Sequence, residues 1–389
     1  MEELYMLPYP ERIRLRPEVV FLSDGIEGVR VMLKTLMDIF FEEAVMGFCK
    51  RIEVRIFGDN SIEIISCDRG LYLDETVVDG KPSWSYVFCE SSVTPFDKKD
   101  FSLYFNRSHN ELYGINADDS LKFRIEYGVF FALSCAQCAS EYMDVEVVRD
   151  GVKKNLRFKK GYNIGGMEKT PANEPSYTKI RFRPDSEVFT DINVLGTIIA
   201  EMLQTAAVTI RGLESSFSDE RLGLKDTYYY ENGIESLALD AVCNSIHTPL
   251  YVKELEATGS ERNSRDYDAR VRVALAFSES VSFRKYFHNF STLKLGGDHI
   301  KSAESEILKT IQRCFGNDEK LSDILLDEIN KKLILIVETN CSEYATKWLN
   351  AQKFYITNTM IRDMCIDLFD DFERYVTENK EKIRSVLSD

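Results

Sequence analysis

A single carboxylate, Asp38, stands in the middle of an otherwise apolar helical run, residues 33–45, LKTLMDIFFEEAV. Leu, Met, Ile and Phe recur around it at the spacing of a buried helix, and no lysine or arginine follows it within one turn. A carboxylate in such a place serves either the chemistry of a site or a structural hydrogen bond. Asp38 is therefore the first candidate residue, and its neighbours decide between the two roles.

The cysteines and histidines offer little material for metal or redox chemistry. Cys135 and Cys138 have the C-x-x-C spacing, but they lie inside the helical pattern FALSCAQCASEY and no second pair is near. We interpret them as part of a packed helix face. The chain has four histidines and no H-E-x-x-H motif, so no metal site is predicted. The nine scattered cysteines indicate reduced, mostly buried thiols and a cytoplasmic location.

Length and charge limit the classes of function. A chain of 389 residues exceeds one ordinary core and predicts two domains, which we place at 1–215 and 216–389. The net charge of −15 argues against the neutralisation of nucleic-acid phosphates as the main task. The basic run 153–161, KKNLRFKKG, could still line a DNA cavity, although a solvated hairpin face is the favoured interpretation. No apolar run reaches the about 18 residues of a membrane span, and the N-terminus lacks the layout of a signal peptide.

The periodicities of the first half predict an α+β domain in which helices alternate with hairpins. Its elements, in order, are a helix at 28–47, strands at 51–57 and 61–66 around the turn Gly58-Asp59-Asn60, a long irregular loop at 71–120, a helix at 123–140, a hairpin at 142–161 with Asp150-Gly151 at its turn, a strand at 177–185, a helix at 190–206 and a short strand at 206–212. The Gly- and Asn-containing turns are typical of hairpins.

The second half predicts another α+β domain, in which one mixed sheet carries a βαβ-type crossover. Its elements are a strand at 227–234, a polar linker at 257–266, a strand at 270–280, a Gly-Gly turn at 296–297, helices at 300–315 and 320–330, a strand at 331–339 and a long helix from 358 to the end.

Six peptides, in collinear order, resemble the N-terminal half of the B subunit of bacterial type II topoisomerases, the family of gyrase and topoisomerase IV. They are RLRP at 14–17, EEAVMGFCKRIEVRIFGDNSIEI at 42–64, YTKIRFRPDSEVFTD at 177–191, YYYENGIESL at 228–237, GGDH at 296–299 and LFDDFERYVTENKEKIRSVL at 368–387. The resemblance implies a GHKL-type (Bergerat) nucleotide-binding α/β sandwich, the class that gyrase shares with Hsp90, histidine kinases and MutL. A ribosomal-protein-S5-like transducer domain is expected to follow it.

The same resemblance implies that the catalytic helix has lost its chemistry. The family carries a Glu that polarises the attacking water and an Asp-Asn pair whose Asn holds magnesium. In this sequence the Glu position is Thr35 and the Asn position is Ile39, and only Asp38 remains. Threonine has no useful basicity at neutral pH and isoleucine cannot ligate a cation, while phosphoryl transfer depends on positioning and charge neutralisation.

The adenine motif of the family, D-x-G-x-G, reads SCDRGLYL at 66–73. In the preferred alignment the Asp position is Ser66 and the first Gly is Asp68, while Arg69 and Gly70 match. An alternative alignment that uses Asp68 as the carboxylate breaks the Arg69-Gly70 match and ranks lower. The glycine-rich lid corresponds to RIEYGVFFALS at 124–134, which keeps only Gly128.

Glu126 and the bulky Phe130 and Phe131 stand in that lid where the family's bare backbone amides would wrap phosphate. Two further positions match the family: Thr178 corresponds to a threonine that helps hold adenine, and Lys353 to a lysine that reaches the γ-phosphate. An ordinary strand threonine and a solvated loop lysine remain the alternatives. The implied nucleotide contacts are Asp38, Arg69, Gly70, Gly128, Thr178 and Lys353, with no metal ligand at Ile39 and no working base at Thr35.

Two functions follow from this resemblance. The first is a stand-alone ATPase–transducer module, impaired in ATP hydrolysis, that acts in DNA topology as a dimeric clamp or as a regulatory protein bound to a topoisomerase-related partner. The alternative is an ATP- and magnesium-binding subunit of a type II topoisomerase with divergent site residues. A chaperone of the same superfamily fits the second half less well. The E-G-D-S motif of a cleavage domain is not in the sequence, so DNA cleavage by this chain alone is not expected. Tyr5 and Tyr9 lie in a short N-terminal arm and are expected to anchor it on a protein surface.

Overall fold

The computed structural model describes residues 7–71, 73, 77–78, 81–89, 132–242, 247–260, 266–318, 320–341, 347–348 and 355–388. The chain forms two compact units. Unit 1 comprises Met1–Gln204 and Leu213–Tyr229, and unit 2 comprises Thr205–Gly212 and Tyr230–Asp389. The chain therefore passes between the units more than once.

Unit 1 is built on an eight-stranded sheet with the strand order β10-β9-β1-β2-β8-β5-β6-β7. Its helices are α1 Tyr9–Leu15, α2 Pro17–Phe21, α3 Ile26–Val45, α4 Ser83–Phe88, α5 at 132–138 and the first part of α6, Gly196–Thr209. Its strands are β1 Arg51–Ile56, β2 Ile62–Ser66, β5 Ser140–Arg149, β6 Val152–Lys159, β7 Tyr162–Pro171, β8 Tyr177–Pro184, β9 Glu214–Asp219 and β10 Leu224–Tyr229, and a separate two-stranded ribbon pairs β3 Val77–Val78 with β4 Lys81–Pro82.

Alternating side chains explain how the central strands find their register. In β1, Ile52, Val54 and Ile56 are buried, and they stand opposite Ser66, Ile64 and Ile62 of β2. A one-residue slip would turn this apolar set to the other face of the sheet. The hairpin closes through the predicted turn, in which Asn60 adopts a positive φ of 64°. The predicted β1–β2 hairpin is confirmed.

Unit 2 contains a five-stranded mixed sheet with the order β11-β12-β15-β13-β14. Strands β13 and β15 run parallel and are joined through a helix, which confirms the predicted βαβ crossover. The strands are β11 Tyr251–Ser260, β12 Asp266–Phe277, β13 Phe283–His288, β14 Ser291–Thr292 and β15 Leu333–Cys341, with a small pair β16 Lys347–Trp348 and β17 Ile356–Thr357. The helices are α7 Ile234–Val242, α8 Asp298–Cys314, α9 Leu326–Asn330, α10 Thr359–Asp367, α11 Phe372–Glu378 and α12 Lys380–Ser388.

Several predicted boundaries are wrong where distant contacts outweigh local preference. Residues 206–212, three of which are β-branched, were expected to form a short strand, but helix α6 continues to Thr209 and buries Ala206, Ala207 and Val208. The expected linker at 257–266 begins as strand instead: β11 continues to Ser260, and the register with β12 extends to the Ser260–Asp266 pair. Backbone hydrogen bonds form this ladder, so polar side chains do not prevent it.

The boundary between the halves and the last helix also differ from expectation. The strand at 227–234 was assigned to the second domain, but β10 pairs with β9 in the sheet of unit 1. The chain therefore enters unit 2 for the second time after Tyr229, and not at the predicted boundary of 215. The expected long helix from 358 is three helices. It is interrupted where the Tyr251 hydroxyl lies within hydrogen-bond distance of two acceptors, the Leu368 carbonyl at 2.6 Å and Asp371 at 2.8 Å.

Helix α8, the first of the two helices between β13 and β15, has a buried histidine in its first turn. His299 is 2% exposed, and its Nε2 has no hydrogen-bond partner among the described residues. Burial lowers its pKa to about 4, because desolvation penalises the charged imidazolium more than the neighbouring Asp298 favours it. A side chain of this kind makes the stability of unit 2 sensitive to acid.

We predict that unit 2 loses up to about 3 kcal/mol of its free energy of unfolding as the pH falls from 6.5 to 4 through His299 alone. The unfolded histidine binds its proton near pH 6.5 and the folded one only near pH 4, so the unfolded state gains protons first. Denaturant unfolding of His299→Gln across this range should give a flatter dependence on pH. An NMR titration of the His299 ring with a midpoint near 6.5 would contradict the prediction.

Candidate functional site

Helix α3 presents a narrow polar stripe on an otherwise buried cylinder. Leu36, Met37 and Phe40 are completely buried, whereas Lys34, Thr35 and Asp38 are half-buried. The ammonium of Lys34 forms an ion pair with the Asp38 carboxylate one turn further on. No cation follows Asp38 within one turn, but the lysine one turn before it supplies the partner, so the carboxylate has a structural contact on its own helix.

The other two positions of the family trio are occupied by structural contacts. The Thr35 hydroxyl donates to the Met32 carbonyl of its own helix at 2.9 Å. Ile39 is 6% exposed and belongs to the core. A hydroxyl that is bonded to its own backbone cannot act as a base at neutral pH, and an aliphatic side chain directed into the core offers no atom to a cation.

A buried carboxylate, Asp68, organises the loop that follows β2. Its Oδ1 accepts hydrogen bonds from the Gly70 amide at 2.7 Å and from the Thr178 hydroxyl at 3.1 Å. The Thr178 oxygen in turn accepts from the Leu71 amide at 2.9 Å. Ser66, the position that was aligned with the family aspartate, instead pairs with the Cys49 thiol at 3.2 Å.

The carboxylate that meets Thr178 is thus two residues beyond the aligned position. The preferred alignment kept Arg69 and Gly70 in place and consequently treated Asp68 as a lost glycine. The signal that could have identified it is local: an Asp immediately after a strand, two residues before a Gly, is typical of a side chain that bonds the backbone two residues on. Sequence reasoning considered Asp68 as the carboxylate but ranked it below Ser66.

Arg69 and Gly70 fix the same loop to its surroundings. The Arg69 guanidinium binds Glu43 of α3 through two hydrogen bonds, at 2.9 and 3.2 Å, and lies 3.5 Å from the centre of the Phe48 ring. Gly70 has a φ of +76°, and a Cβ there would lie 2.5 Å from the Val148 carbonyl oxygen. The chain therefore needs glycine at this position for its backbone conformation alone.

The Asp68 carboxyl group is buried away from water, which disfavours its charged form. Burial raises its pKa to about 6, since the Gly70 amide only partly offsets the loss of water and nearby Glu43 adds repulsion. The structure thus brings Arg69, Gly70 and Thr178 together around Asp68, while Asp38 lies on α3 in its pair with Lys34. Gly128 and Lys353, also predicted as nucleotide contacts, lie outside the described residues, as do Glu126, Phe130, Phe131 and Tyr5.

The remaining candidates behave as structural groups. Cys135 and Cys138 are completely buried, and burial raises the pKa of both thiols, as the interpretation of a packed helix face requires. The Tyr9 hydroxyl forms hydrogen bonds with the Ser134 hydroxyl at 3.0 Å and with the Cys135 thiol at 3.2 Å, so its partners belong to the same chain. None of the eight cysteines in the described part of the chain is in a disulfide.

Metal and membrane sites have no support in the described ranges. No group of three or more His, Cys, Asp or Glu side chains there is arranged to hold a metal ion. None of the helices in the same ranges is long and apolar enough to cross a bilayer. In the basic run 153–161, Lys153 pairs with Glu174 at 3.1 Å and Lys160 with Glu187 at 2.6 Å. Those pairs favour a hairpin face over a DNA-binding surface.

Solved structures of gyrase B proteins share this fold. No family model matches the sequence. The 43K ATPase domain of Thermus thermophilus gyrase B, solved in complex with an aminocoumarin, superimposes with a TM-score of 0.68 at 19% identity over 98% of this chain and 93% of that one. The gyrase B protein of Myxococcus xanthus gives 0.66 at 18% identity, covering 95% and 98%. The chain therefore has a gyrase B-like fold.

Curated relatives agree with this assignment. The B protein of the type 2 topoisomerase of Aquifex aeolicus is 26% identical over 304 residues, which is 78% of this chain and 35% of the relative. DNA gyrase B of Streptococcus pyogenes is 23% identical over 402 residues, which is 99% of this chain and 56% of the relative. The gyrase B-like chain thus spans between about a third and just over half of the relatives it matches. Its fold is a GHKL-type nucleotide-binding domain followed by a transducer.

We predict that Asp68→Asn stabilises the gyrase B-like module at pH 8 by up to about 3 kcal/mol, and that this gain disappears near pH 4. The folded carboxyl releases its proton near pH 6 and the unfolded one near 3.8, so ionisation destabilises the wild-type fold across that window. Asparagine keeps an oxygen for Gly70 and Thr178. Urea unfolding at pH 4, 6 and 8 measures the effect.

Asp59→Asn is the matched control for this prediction. Asp59 accepts from the Ser61 hydroxyl and amide, and these bonds lower its pKa. Its stabilising contribution is therefore present above its unfolded pKa and lost in acid, so the substitution should destabilise at pH 8. A stability difference for Asp68→Asn that stays constant with pH would contradict the assignment.

Proposed function

We propose that the chain is a gyrase B-like ATPase–transducer module that does not hydrolyse ATP efficiently and that acts in DNA topology, in the cytoplasm, as a dimeric clamp or a regulatory protein bound to a topoisomerase-related partner. One observation carries the proposal: Thr35, at the position of the water-polarising Glu, has its hydroxyl bonded to the Met32 carbonyl. Without a base at this position, the attacking water is not oriented or activated from α3.

The charges around Asp38 support the same conclusion. In the family this stretch of helix faces magnesium, and the metal neutralises the charge that develops on the transferred phosphoryl group. Here the Asp38 carboxylate is paired with the Lys34 ammonium, and Ile39 supplies no ligand. Divalent metal binding at Asp38 would have to displace that ammonium. Base and metal ligand are therefore both compromised on one helix.

The alternative function, nucleotide binding as part of a topoisomerase, is favoured by one specific feature. Asp68 and Thr178 form a hydrogen-bonded pair at the place where the resemblance puts the adenine contacts, although the carboxylate comes from a shifted position. A carboxylate beside a hydroxyl can accept a hydrogen bond from the exocyclic amino group of adenine. Binding without hydrolysis would use this pair and Lys353, the predicted γ-phosphate contact.

A hydrolysis assay combined with calorimetry separates these functions. We expect no release of phosphate from Mg-ATP above the level of a protein-free solution, and Thr35→Ala should leave that result unchanged because Thr35 is not a base. Titration with a non-hydrolysable ATP analogue, with and without magnesium, tests binding. A micromolar response that Thr178→Val and Lys353→Ala each weaken supports the alternative, and magnesium-dependent turnover by the wild-type chain would refute the proposal.

We also predict that the chain self-associates without nucleotide, as a clamp that has lost its ATP-dependent control requires. Light scattering across a range of protein concentrations, with and without Mg-ATP, measures this directly. The expected mass is that of a dimer in both conditions. A monomer at every concentration in both conditions would remove the clamp from the proposal and leave only the regulatory role.

A further inference from the structure

Two segments connect the units, and within unit 2 they lie side by side. One is Thr205–Gly212, the end of α6 and the turn after it, and the other begins at Tyr230, where the chain re-enters unit 2. Gly233 in the second segment has a φ of +63°, and a Cβ there would lie 2.7 Å from the Val208 carbonyl oxygen of the first. The two segments are therefore in close contact.

The side chain next to both segments is Arg272 of β12, the largest fully buried side chain of the described residues at 1% exposure. Its Nη1 donates to Glu338 of β15 at 2.9 Å, and its Nη2 donates to the Asn232 carbonyl at 3.2 Å. The first bond is to the sheet, and the second is to the backbone of the connecting segment. A buried guanidinium thus holds the segment that starts at Tyr230.

The other segment is held by a carboxylate of the same cluster. Arg211 Nη2 donates to Glu254 Oε2 of β11 at 2.6 Å, and the same oxygen lies 3.3 Å from Nε of Arg272. Glu254 therefore bridges the arginine of one segment and the arginine that holds the other. Arg270, 3.5 Å from Glu338, completes a cluster in which three arginines surround two glutamates.

We propose that Arg211, Glu254, Arg272 and Glu338 form a latch that fixes both connecting segments to the sheet of unit 2 and makes their movements dependent on each other. Burial strengthens the Arg272–Glu338 part of the latch, because a charge that loses its partner away from water is costly, whereas the Arg211–Glu254 pair lies at the surface. Neither segment can move off the sheet without breaking a bond to Glu254 or to Arg272. The latch involves no nucleotide and does not depend on the function proposed above.

The geometry distinguishes a latch from an ordinary core ion pair. A pair that only stabilised the sheet would join β12 to β15, as the bond from Arg272 to Glu338 does. Here the guanidinium also binds a main-chain carbonyl outside the sheet, and Glu254 also binds an arginine outside the sheet. These additional bonds restrain the connecting segments themselves.

Glu254→Gln tests the proposal, since Glu254 is one-third exposed and its neutral isostere should leave the fold intact. Hydrogen exchange of the Gly233 amide, which bonds the Tyr230 carbonyl, and trypsin cleavage after Arg211 report on the two segments separately. We expect both to become about tenfold faster, the effect of losing one charge-assisted hydrogen bond. Amides within α8 should exchange at their wild-type rates.

Glu304→Gln is the matched control, because Glu304 pairs with Arg284 at 3.4 Å elsewhere in unit 2 and should leave both segments unchanged. Faster exchange and faster cleavage in Glu254→Gln alone support the latch. An effect on one segment only, on neither, or equally on α8 overturns it. Gly233→Ala adds a methyl group that would press against the Val208 carbonyl and Arg272, so it independently disturbs the contact between the two connecting segments.

Discussion

A polar group inside a protein must find a partner, and in unit 1 this constraint is met at Asp68. The carboxylate is 7% exposed, and it joins three elements through the loop after β2: its own strand, β8 through Thr178, and α3 through the Arg69–Glu43 pair next to it. The conformation of Gly70 follows from the same arrangement. In this chain the loop that the resemblance associates with adenine is thus held by hydrogen bonds within the protein.

Unit 2 also has a buried charged side chain that needs partners, but there the charge is positive. There the buried charge is a guanidinium, and its partners are carboxylates of neighbouring strands and one main-chain carbonyl. One face of the sheet packs an apolar core against α8 and α10–α12, so the charges are confined to the other face. In each unit, the buried ionic side chain lies where chain segments distant in sequence have to be held together.

Periodicity predicted the elements whose packing is local. The β1–β2 hairpin and the βαβ crossover were correct because alternating apolar side chains and Gly or Asn turns specify them directly. The strand predicted at 206–212 and the uninterrupted last helix failed because distant side chains, such as Tyr251 at the Leu368 carbonyl, decide those boundaries. At the site, residue types were enough to see that Thr35 and Ile39 lack the family chemistry. They were not enough to reveal that Lys34 neutralises Asp38 or that Asp68 meets Thr178.

The two positions of α3 that align with the family's Glu and Asn differ in how easily they could accept those side chains. Thr35 is half-buried at the edge of the polar stripe, so a glutamate there could reach water. Ile39 is 6% exposed and packed in the core, so an asparagine would bury an amide at a cost of about 1–3 kcal/mol. A glutamate at position 35 is therefore a tolerated substitution, whereas a metal ligand at position 39 would first have to weaken the fold. The packing of one isoleucine thus makes the two positions unequal starting points for engineering metal-dependent chemistry on this helix.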